Sequence, residues 1–166
     1  MKLLILNGPN LNLLGQREPE IYGSATYHDL LALIQETAQR LGLKADVRQS
    51  NHEGDLVDWI QDAYGVYDGI VLNPGAYTHT SIALLDALLA VGIPTVEVHL
   101  SDLKTREPFR QISYIRPACA ATFMGLGIEG YRRGMEFLEG KTRQELHSVR
   151  RPEAAVRLCQ SHYQSA

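Results

Sequence analysis

Short apolar runs alternate along the chain with longer segments in which apolar residues recur at helical spacing. The runs short enough for buried strands cover residues 2–6, 44–50, 68–73, 94–101 and 118–125. The segments with helical spacing cover residues 26–42, 53–64, 81–92 and 128–138. Gly42 and Gly92 stand where two of these helices should stop. The pattern therefore predicts five strands separated or followed by four helices.

This order of elements indicates the fold class. Strands that alternate with helices predict a parallel sheet that is covered by helices on both faces. Five strands with short connections favour the flavodoxin-like, doubly wound class of α/β proteins. From residue 141 the chain becomes more polar, so we divide it into a domain of residues 1–140 and an extension of residues 141–166. Pro152 is placed to open a short helix, and we expect a peripheral helix or a frayed tail there.

Composition narrows the functional classes. A chain of 166 residues suits one domain, and its formal charge of −3 gives no general attraction to nucleic acid or to an anionic membrane. Binding of an anion would therefore need a local cluster of cations. The apolar runs are too short for a signal-peptide core or a membrane span. Cys119 and Cys159 have no metal or redox spacing, which favours a reducing cytoplasm.

Candidate chemistry lies in the segments that follow the strands. Ligands of doubly wound sheets bind outside the carboxyl ends of the strands, where these segments should meet. Three of the segments are rich in polar groups that could act on a ligand. These groups are Asn7, Asn10, Asn12, Arg17, Tyr22, Asn73, His79, His99, Ser101, Arg106 and Arg110. Their convergence on one edge of the sheet indicates a binding site more strongly than any one of them.

Several of these residues allow two interpretations, one structural and one functional. His99 ends an apolar strand, so it is either a hydrogen-bonded structural group or a general acid or base. His79 precedes a predicted helix start, where it either belongs to a cap or faces an oxygen-bearing ligand. A free tyrosine has a pKa of about 10, so Tyr22 would serve as a base only if something stabilised its phenolate. Arg17 could do that from nearby, or it could be a solvated loop charge.

Motifs typical of P-loop nucleotide sites, zinc proteases and serine hydrolases are absent from the sequence. There is no GxxxxGK(S/T) phosphate-binding loop, no HExxH and no GxSxG. The histidines have no pairing at the spacing that helical metal ligands need, so we expect no metal. A receiver domain would need acidic residues where Asn7, Asn10 and Asn73 stand. A flavin carrier would need a Thr/Ser-rich phosphate loop after the first strand.

Four long motifs resemble type II 3-dehydroquinate dehydratases. They follow one another in the family's order between residues 1 and 140, as NGPNLNLLGQREPEIYG, VLNPGAYTHTSIALLDAL, VEVHLSDLKTREPFRQISYI and GLGIEGYRRGMEFL. The resemblance implies a flavodoxin-like fold that needs no cofactor and removes water from 3-dehydroquinate to give 3-dehydroshikimate. That reaction is a step of aromatic biosynthesis and, in some organisms, of quinate breakdown. The sequence leaves open the alternative that the protein is a catalytically silent relative, which serves as a binding or assembly subunit.

The resemblance also implies a role for each matched residue. Tyr22 would be the base, Arg17 would activate it, and Asn10 would hold the water that stabilises an enolate intermediate. His99 would protonate the departing hydroxyl. The implied substrate contacts are Asn73, His79, Asp86, the backbone of Leu100, the side chain of Ser101 and Arg110, with Arg106 in support.

The segment SIALLDALLAVG makes a separate prediction about assembly. Between Ile82 and Val91, Asp86 is the only residue that is not apolar. A surface helix of a monomer should have a polar face, so we expect the outer face of this helix to pack on another subunit. Asp86 would then form an intersubunit ion pair. The family resemblance implies instead that Asp86 reaches a neighbour's active site in a dodecamer of trimers.

Overall fold

The computed structural model describes residues 1–16 and 24–149. The strands in this part of the chain are β1 (Lys2–Asn7), β2 (Lys44–Gln49), β3 (Gly69–Asn73), β4 (Thr95–His99) and β5 (Ala121–Met124). The α-helices are α1 (Tyr27–Leu41), α2 (Glu53–Asp62), α3 (Ile82–Val91) and α4 (Glu129–Val149). Short 3₁₀ turns occupy several of the connecting loops. Each strand and helix that the sequence predicts in these ranges is present.

The strands form one sheet with every neighbouring pair parallel, in the order β2-β1-β3-β4-β5. This is the predicted flavodoxin-like, doubly wound arrangement. The register brings strand ends level, since Asn7 at the end of β1 pairs with both Gln49 and Asn73. The loops that follow these strands consequently begin side by side at one edge.

Alternate residues of the central strands build two cores. Leu3, Ile5 and Val71 face α1 and α4, whereas Leu4 and Leu6 face α2 and α3. These five side chains are completely buried, which is why β1 reads as a continuous apolar run rather than as an alternating one. Burying a leucine or isoleucine contributes about 1.5–3 kcal/mol. Truncating Leu4 to alanine should therefore cost about 2–5 kcal/mol of stability.

Local signals set the helix ends. Thr26 caps α1 through a capping box, in which its hydroxyl accepts from the Asp29 N–H and the Asp29 carboxylate accepts from the Thr26 N–H. Ser81 caps α3 by accepting from the Leu84 N–H at 3.0 Å. Gly42 and Gly92 end the two helices with φ of 66° and 63°, as their positions predict.

Helix α4 is longer than the sequence pattern predicts. The predicted helix ended at Leu138, since residues 139–145 carry no apolar side chain. The helix instead continues to Val149, across the proposed domain boundary at residue 140. An i,i+4 ion pair between Glu139 and Arg143 supports this polar part. Pro152 and the rest of the proposed tail lie outside the described residues. No helix in the described ranges is both long and apolar enough to cross a membrane.

Candidate active site

The loops after β1, β3 and β4 enclose a cleft at the carboxyl edge of the sheet. Eight residues singled out from the sequence line it, namely Asn10, Asn73, His79, His99, Leu100, Ser101, Arg106 and Arg110. Leucines of the β1 and β4 loops form an apolar part of the wall, which contains Leu11, Leu13, Leu14 and Leu103. A cleft with an apolar lining and a few converging polar groups is typical of small-molecule sites.

The first two loops are packed against each other through glycine and proline. A Cβ on Gly8 would lie 2.4 Å from the Pro74 carbonyl oxygen, so no larger residue fits there without a backbone shift. Gly75, with φ of 58°, packs in turn on Pro9, whose carbonyl oxygen would be 3.1 Å from an added Cβ. The Gly8 N–H also donates to the Asn73 carbonyl at 2.8 Å. These contacts fix the spacing between the two loops.

Asn10 sits at the tip of the first loop in the left-handed region, with φ of 66°. Its backbone N–H donates to the Asn51 Oδ1 atom at 3.0 Å, and the Tyr77 hydroxyl donates to the Asn51 carbonyl at 2.8 Å. Asn51 therefore ties the loop after β2 to both cleft loops. Sequence reasoning missed this residue, because the segment NHEGD carries little chemistry of its own.

A buried hydrogen-bond chain holds Asn73 at the floor of the cleft. The Asn73 Nδ2 atom donates to the Tyr131 hydroxyl at 2.9 Å, and that hydroxyl donates to the Asn7 Oδ1 atom at 2.6 Å. The Asn73 Oδ1 atom accepts from the Gly75 N–H at 3.2 Å. Burial raises the pKa of Tyr131 far above its usual range, so its hydroxyl keeps its proton and remains a donor. Tyr131, on α4, is a second residue that sequence reasoning missed.

His99 is buried at the end of β4, where its ring is anchored by Glu97. The His99 Nε2 atom lies 2.7 Å from the Glu97 Oε1 atom. Burial would raise the pKa of Glu97, but the hydrogen bond and charge of His99, with Ser113 and Arg116, lower it to about 2. The carboxylate is therefore ionised and can only accept, so the His99 Nε2 atom carries a hydrogen. The Nδ1 atom is the ring nitrogen that remains for a ligand.

Glu97 is fully buried and accepts from several groups besides His99. Its Oε1 atom accepts from the hydroxyls of Thr78 at 3.0 Å and Ser113 at 2.6 Å. Its Oε2 atom accepts from the Arg116 Nε atom at 3.1 Å and from the Thr122 hydroxyl at 3.0 Å. The sequence did carry a signal for this residue. In VEVH an acid stands two positions before the histidine, on the same face of an otherwise apolar strand.

His79 has a defined tautomer. Its Nδ1 atom lies 2.7 Å from the Ile112 carbonyl oxygen. A carbonyl only accepts, so the Nδ1 atom carries the hydrogen and the Nε2 atom is left as an acceptor when the ring is neutral. Burial lowers the pKa of His79, and the charges of His99 and Arg110 lower it further. At neutral pH the ring is therefore suited to accept a hydrogen bond from a hydroxyl group.

Two arginines give the cleft a local positive charge. The Nε atoms of Arg106 and Arg110 each lie 3.3 Å from the Glu107 Oε2 atom. Arg106 also reaches the Ser101 hydroxyl, with its Nη1 atom at 3.5 Å. Two guanidinium groups therefore lie together on this side of the cleft. This is the local cation cluster that an anionic ligand would need on a chain of net charge −3.

Three predicted site residues are not part of this cleft as described. Asp86 is exposed on α3 and does not line the cleft. Arg17 and Tyr22 lie outside the described residues, so their roles remain predictions. Within the described ranges, no group of three or more His, Cys, Asp or Glu residues could hold a metal ion. Cys119 contributes no reactive thiolate, since burial raises its pKa to about 12.

The fold and cleft are those of an α/β protein with acid–base and anion-binding groups at the carboxyl edge of its sheet. The family model described as "Dehydroquinase class II" matches residues 1–139. The chain therefore belongs to the class II dehydroquinase family.

Individual relatives agree with this family. The chain is 57% identical over 140 residues to "3-dehydroquinate dehydratase 1" of Bradyrhizobium diazoefficiens, which covers 84% of this chain and 90% of that protein. It is 55% identical to "Catabolic 3-dehydroquinase 1" of Aspergillus terreus, over 81% of this chain and 88% of that protein. The crystal structure of a type II dehydroquinase from Butyrivibrio crossotus superimposes with a TM-score of 0.82 at 47% identity, covering 83% of this chain and 97% of that one.

Proposed function

We propose that this protein is a type II 3-dehydroquinate dehydratase, which removes water from 3-dehydroquinate to give 3-dehydroshikimate. The observation that carries the proposal is the family match over residues 1–139. Similar proteins include one named as a dehydratase and one named as a catabolic dehydroquinase, so the reaction serves either biosynthesis or quinate breakdown. We assign catalysis to residues 1–140, without a cofactor, in the cytoplasm.

The proposed reaction begins with removal of a proton from the carbon beside the substrate ketone. We assign this step to Tyr22, as a phenolate stabilised by the Arg17 guanidinium. The support is the match of REPEIYG to the family motif. The electron pair of the broken C–H bond moves into an enolate. Asn10 then holds a water molecule against the enolate oxygen, and the position of Asn10 on the cleft wall supports this role.

The second step breaks the carbon–oxygen bond. The enolate re-forms the ketone and expels the hydroxyl group, which leaves as water after taking a proton from His99. We assign that proton to the Nδ1 atom, because the Nε2 atom is engaged by the ionised Glu97 at 2.7 Å. Position and orientation are what a general acid needs, and such an acid supplies about 10²–10⁴-fold in rate.

Substrate binding follows from the polar groups around the cleft. We assign the substrate carboxylate to the backbone of Leu100 and the hydroxyl of Ser101, with Arg106 in support. Arg110 is a further binding group on this charged side of the cleft. Asn73 and His79 would contact substrate hydroxyls, and the acceptor Nε2 atom of His79 suits that role. Each of these residues lines the cleft, which supports the assignment.

The proposed role of Asp86 requires that several copies of the chain assemble. Ile82 and Leu89 on the outer face of α3 are 48% and 60% exposed in the single chain. An apolar face of this kind is typical of a subunit interface. We propose a closed homo-oligomer, built from trimers into a dodecamer, in which Asp86 completes a neighbour's site. A stable and fully active monomer in light scattering would contradict this assembly.

A direct assay tests the function. The purified protein should convert 3-dehydroquinate to a product with enone absorbance, and a silent binding subunit would not. Tyr22→Phe keeps the ring but removes the ionisable oxygen, so turnover should fall by about 10²–10⁴-fold while the fold is retained.

Borohydride added with substrate should leave the wild-type enzyme active, because the proposed mechanism forms no imine. Covalent trapping on Lys104 would overturn it.

A further inference from the structure

Arg116 lies behind the cleft and is held by the same carboxylate that anchors His99. It begins the 3₁₀ turn Arg116–Ala118, which precedes β5. Its Nε atom donates to the Glu97 Oε2 atom at 3.1 Å, its side chain is 40% exposed, and it is not among the residues that line the cleft. Within the described part of the chain, Glu97 is the acid with which Arg116 forms an ion pair.

The two oxygens of Glu97 have different partners. The Oε1 atom faces His99 and two hydroxyls, whereas the Oε2 atom faces Arg116 and the hydroxyl of Thr122. Removing Arg116 would leave the Oε2 atom with one neutral donor, the Thr122 hydroxyl, and would take away the only charged group that holds this side of the carboxylate within the described residues. Arg116 also contributes to the low pKa of Glu97, so its charge helps to keep the carboxylate ionised in a fully buried position.

We propose that Arg116 is a positioning residue for the acid of the dehydration, acting on His99 through Glu97. The proposal rests on the proposed function of His99. A fixed and ionised Glu97 holds the ring by its Nε2–H group and so keeps the Nδ1 atom directed at the substrate. Arg116 holds the second oxygen of the same carboxylate, so Glu97 keeps one orientation toward the His99 ring.

The first test separates turnover from binding. Arg116 lies outside the cleft lining, so Arg116→Gln should lower kcat by roughly 10- to 100-fold and leave KM within about 2-fold. Arg116→Lys keeps the charge but loses the planar fork, and should recover part of the rate. Arg133→Gln is the matched control, because Arg133 is exposed and pairs with Glu136 on α4. Wild-type kcat in Arg116→Gln would overturn the proposal.

A double-mutant cycle tests whether the effect passes through His99. In a His99→Ala background, Arg116→Gln should cause no further loss of kcat, because the group that it positions is already gone. Equal fold-losses in both backgrounds would show that Arg116 acts elsewhere, and would overturn the inference. If Arg116→Gln does not fold, the cycle is run with Arg116→Lys, for which the same two outcomes decide.

A spectroscopic test needs no substrate, so it separates this inference from the proposed function. The hydrogen between the His99 Nε2 atom and Glu97 should give a downfield proton resonance that disappears in His99→Ala. This resonance should move upfield or broaden in Arg116→Gln and stay in place in Arg133→Gln. An unchanged resonance in Arg116→Gln would overturn the proposal. Wild-type protein that shows these shifts but does not dehydrate 3-dehydroquinate would overturn the function alone.

Discussion

Both edges of the sheet carry a carboxylate held by a cation and by hydroxyl donors. At the carboxyl edge Glu97 binds His99, Arg116 and three hydroxyls. At the amino edge Asp46 accepts from the Tyr67 hydroxyl at 2.7 Å and lies 2.9 Å from the Lys2 Nζ atom. The Lys2 ammonium also lies 4.4 Å from the centre of the Tyr67 ring. The residue types are similar, yet the two clusters lead to different chemistry.

Burial accounts for the difference. The Asp46 side chain is 48% exposed, so water screens its interactions and solvates whatever they leave unsatisfied. Glu97 is completely buried, so its protein donors replace the water molecules that it loses on folding. Removing any of these donors should therefore cost a substantial part of the stability of the fold. The Glu97 cluster also ends at the cleft through His99, whereas Asp46 ends in solvent. The same ion-pair chemistry therefore stabilises the fold weakly at one edge and orients a reactive group at the other.

The largest effect should come from Glu97→Gln. This change keeps the shape but removes the buried anion that His99 and Arg116 face, so we expect stability to fall by about 3–5 kcal/mol. The ring of His99 would also lose its fixed orientation, and kcat should fall by roughly 10²–10⁴-fold. Urea unfolding and steady-state kinetics measure the two losses. A variant with wild-type turnover would show that this cluster is as passive as the one at the amino edge.

The second prediction concerns the pH dependence of stability. The pKa of Glu97 is depressed to about 2 in the folded protein, below its ordinary value of 4.5. Its contribution is therefore fully present above pH 4.5 and is lost as pH falls toward 2, with a total of about 3 kcal/mol. Urea unfolding across this window should lose stability more steeply in the wild type than in Glu97→Gln. Parallel curves would contradict this assignment of the low pKa.

A third, smaller effect should follow from Tyr131→Phe. The change leaves Asn7 without its donor and Asn73 without its acceptor, and each group is buried. We expect a loss of about 1–3 kcal/mol in stability. Because Asn73 lines the cleft, KM should rise more than kcat falls. Tyr67→Phe is the matched control at the amino edge, since its hydroxyl also meets an acid but lies far from the cleft.

The smallest effect should come from Asp46→Asn. Tyr67 and Lys2 lower the pKa of Asp46, so the carboxylate is ionised at neutral pH and the substitution removes a real ion pair. Exposed pairs of this kind contribute about 0–1 kcal/mol, and we expect a change in that range with unaltered kcat and KM. A loss comparable to that of Glu97→Gln would remove the proposed distinction between the two edges.

The fold could be predicted because its signals are local. Apolar runs, capping residues and glycine stops each act within a few residues, and they specified the strands and most helix ends. The end of α4 was missed because no apolar residue stands between Leu138 and Leu146 to continue the helical spacing. Strand-end reasoning likewise located the cleft, since parallel strands bring their carboxyl ends to one edge.

The supporting residues of the cleft could not be found in this way. Tyr131 meets Asn7 across 124 positions of sequence, and Arg116 meets Glu97 across 19. No periodicity or motif spacing specifies such contacts, because they depend on how α4 and the turn before β5 pack on the sheet. Glu97 is the exception among these supporting residues, because an acid inside an apolar strand is visible in the hydrophobic pattern of the sequence.

The reciprocal packing of Gly8 on Pro74 and of Gly75 on Pro9 has a consequence for protein engineering. Neither loop should be transferred alone, because the closest contacts of each loop are made by the other. A graft that transfers one loop to a related scaffold would bring a side chain or a longer backbone into a space that admits neither. Attempts to redesign this wall of the cleft should therefore exchange both loops together, as one cassette drawn from two distant parts of the gene.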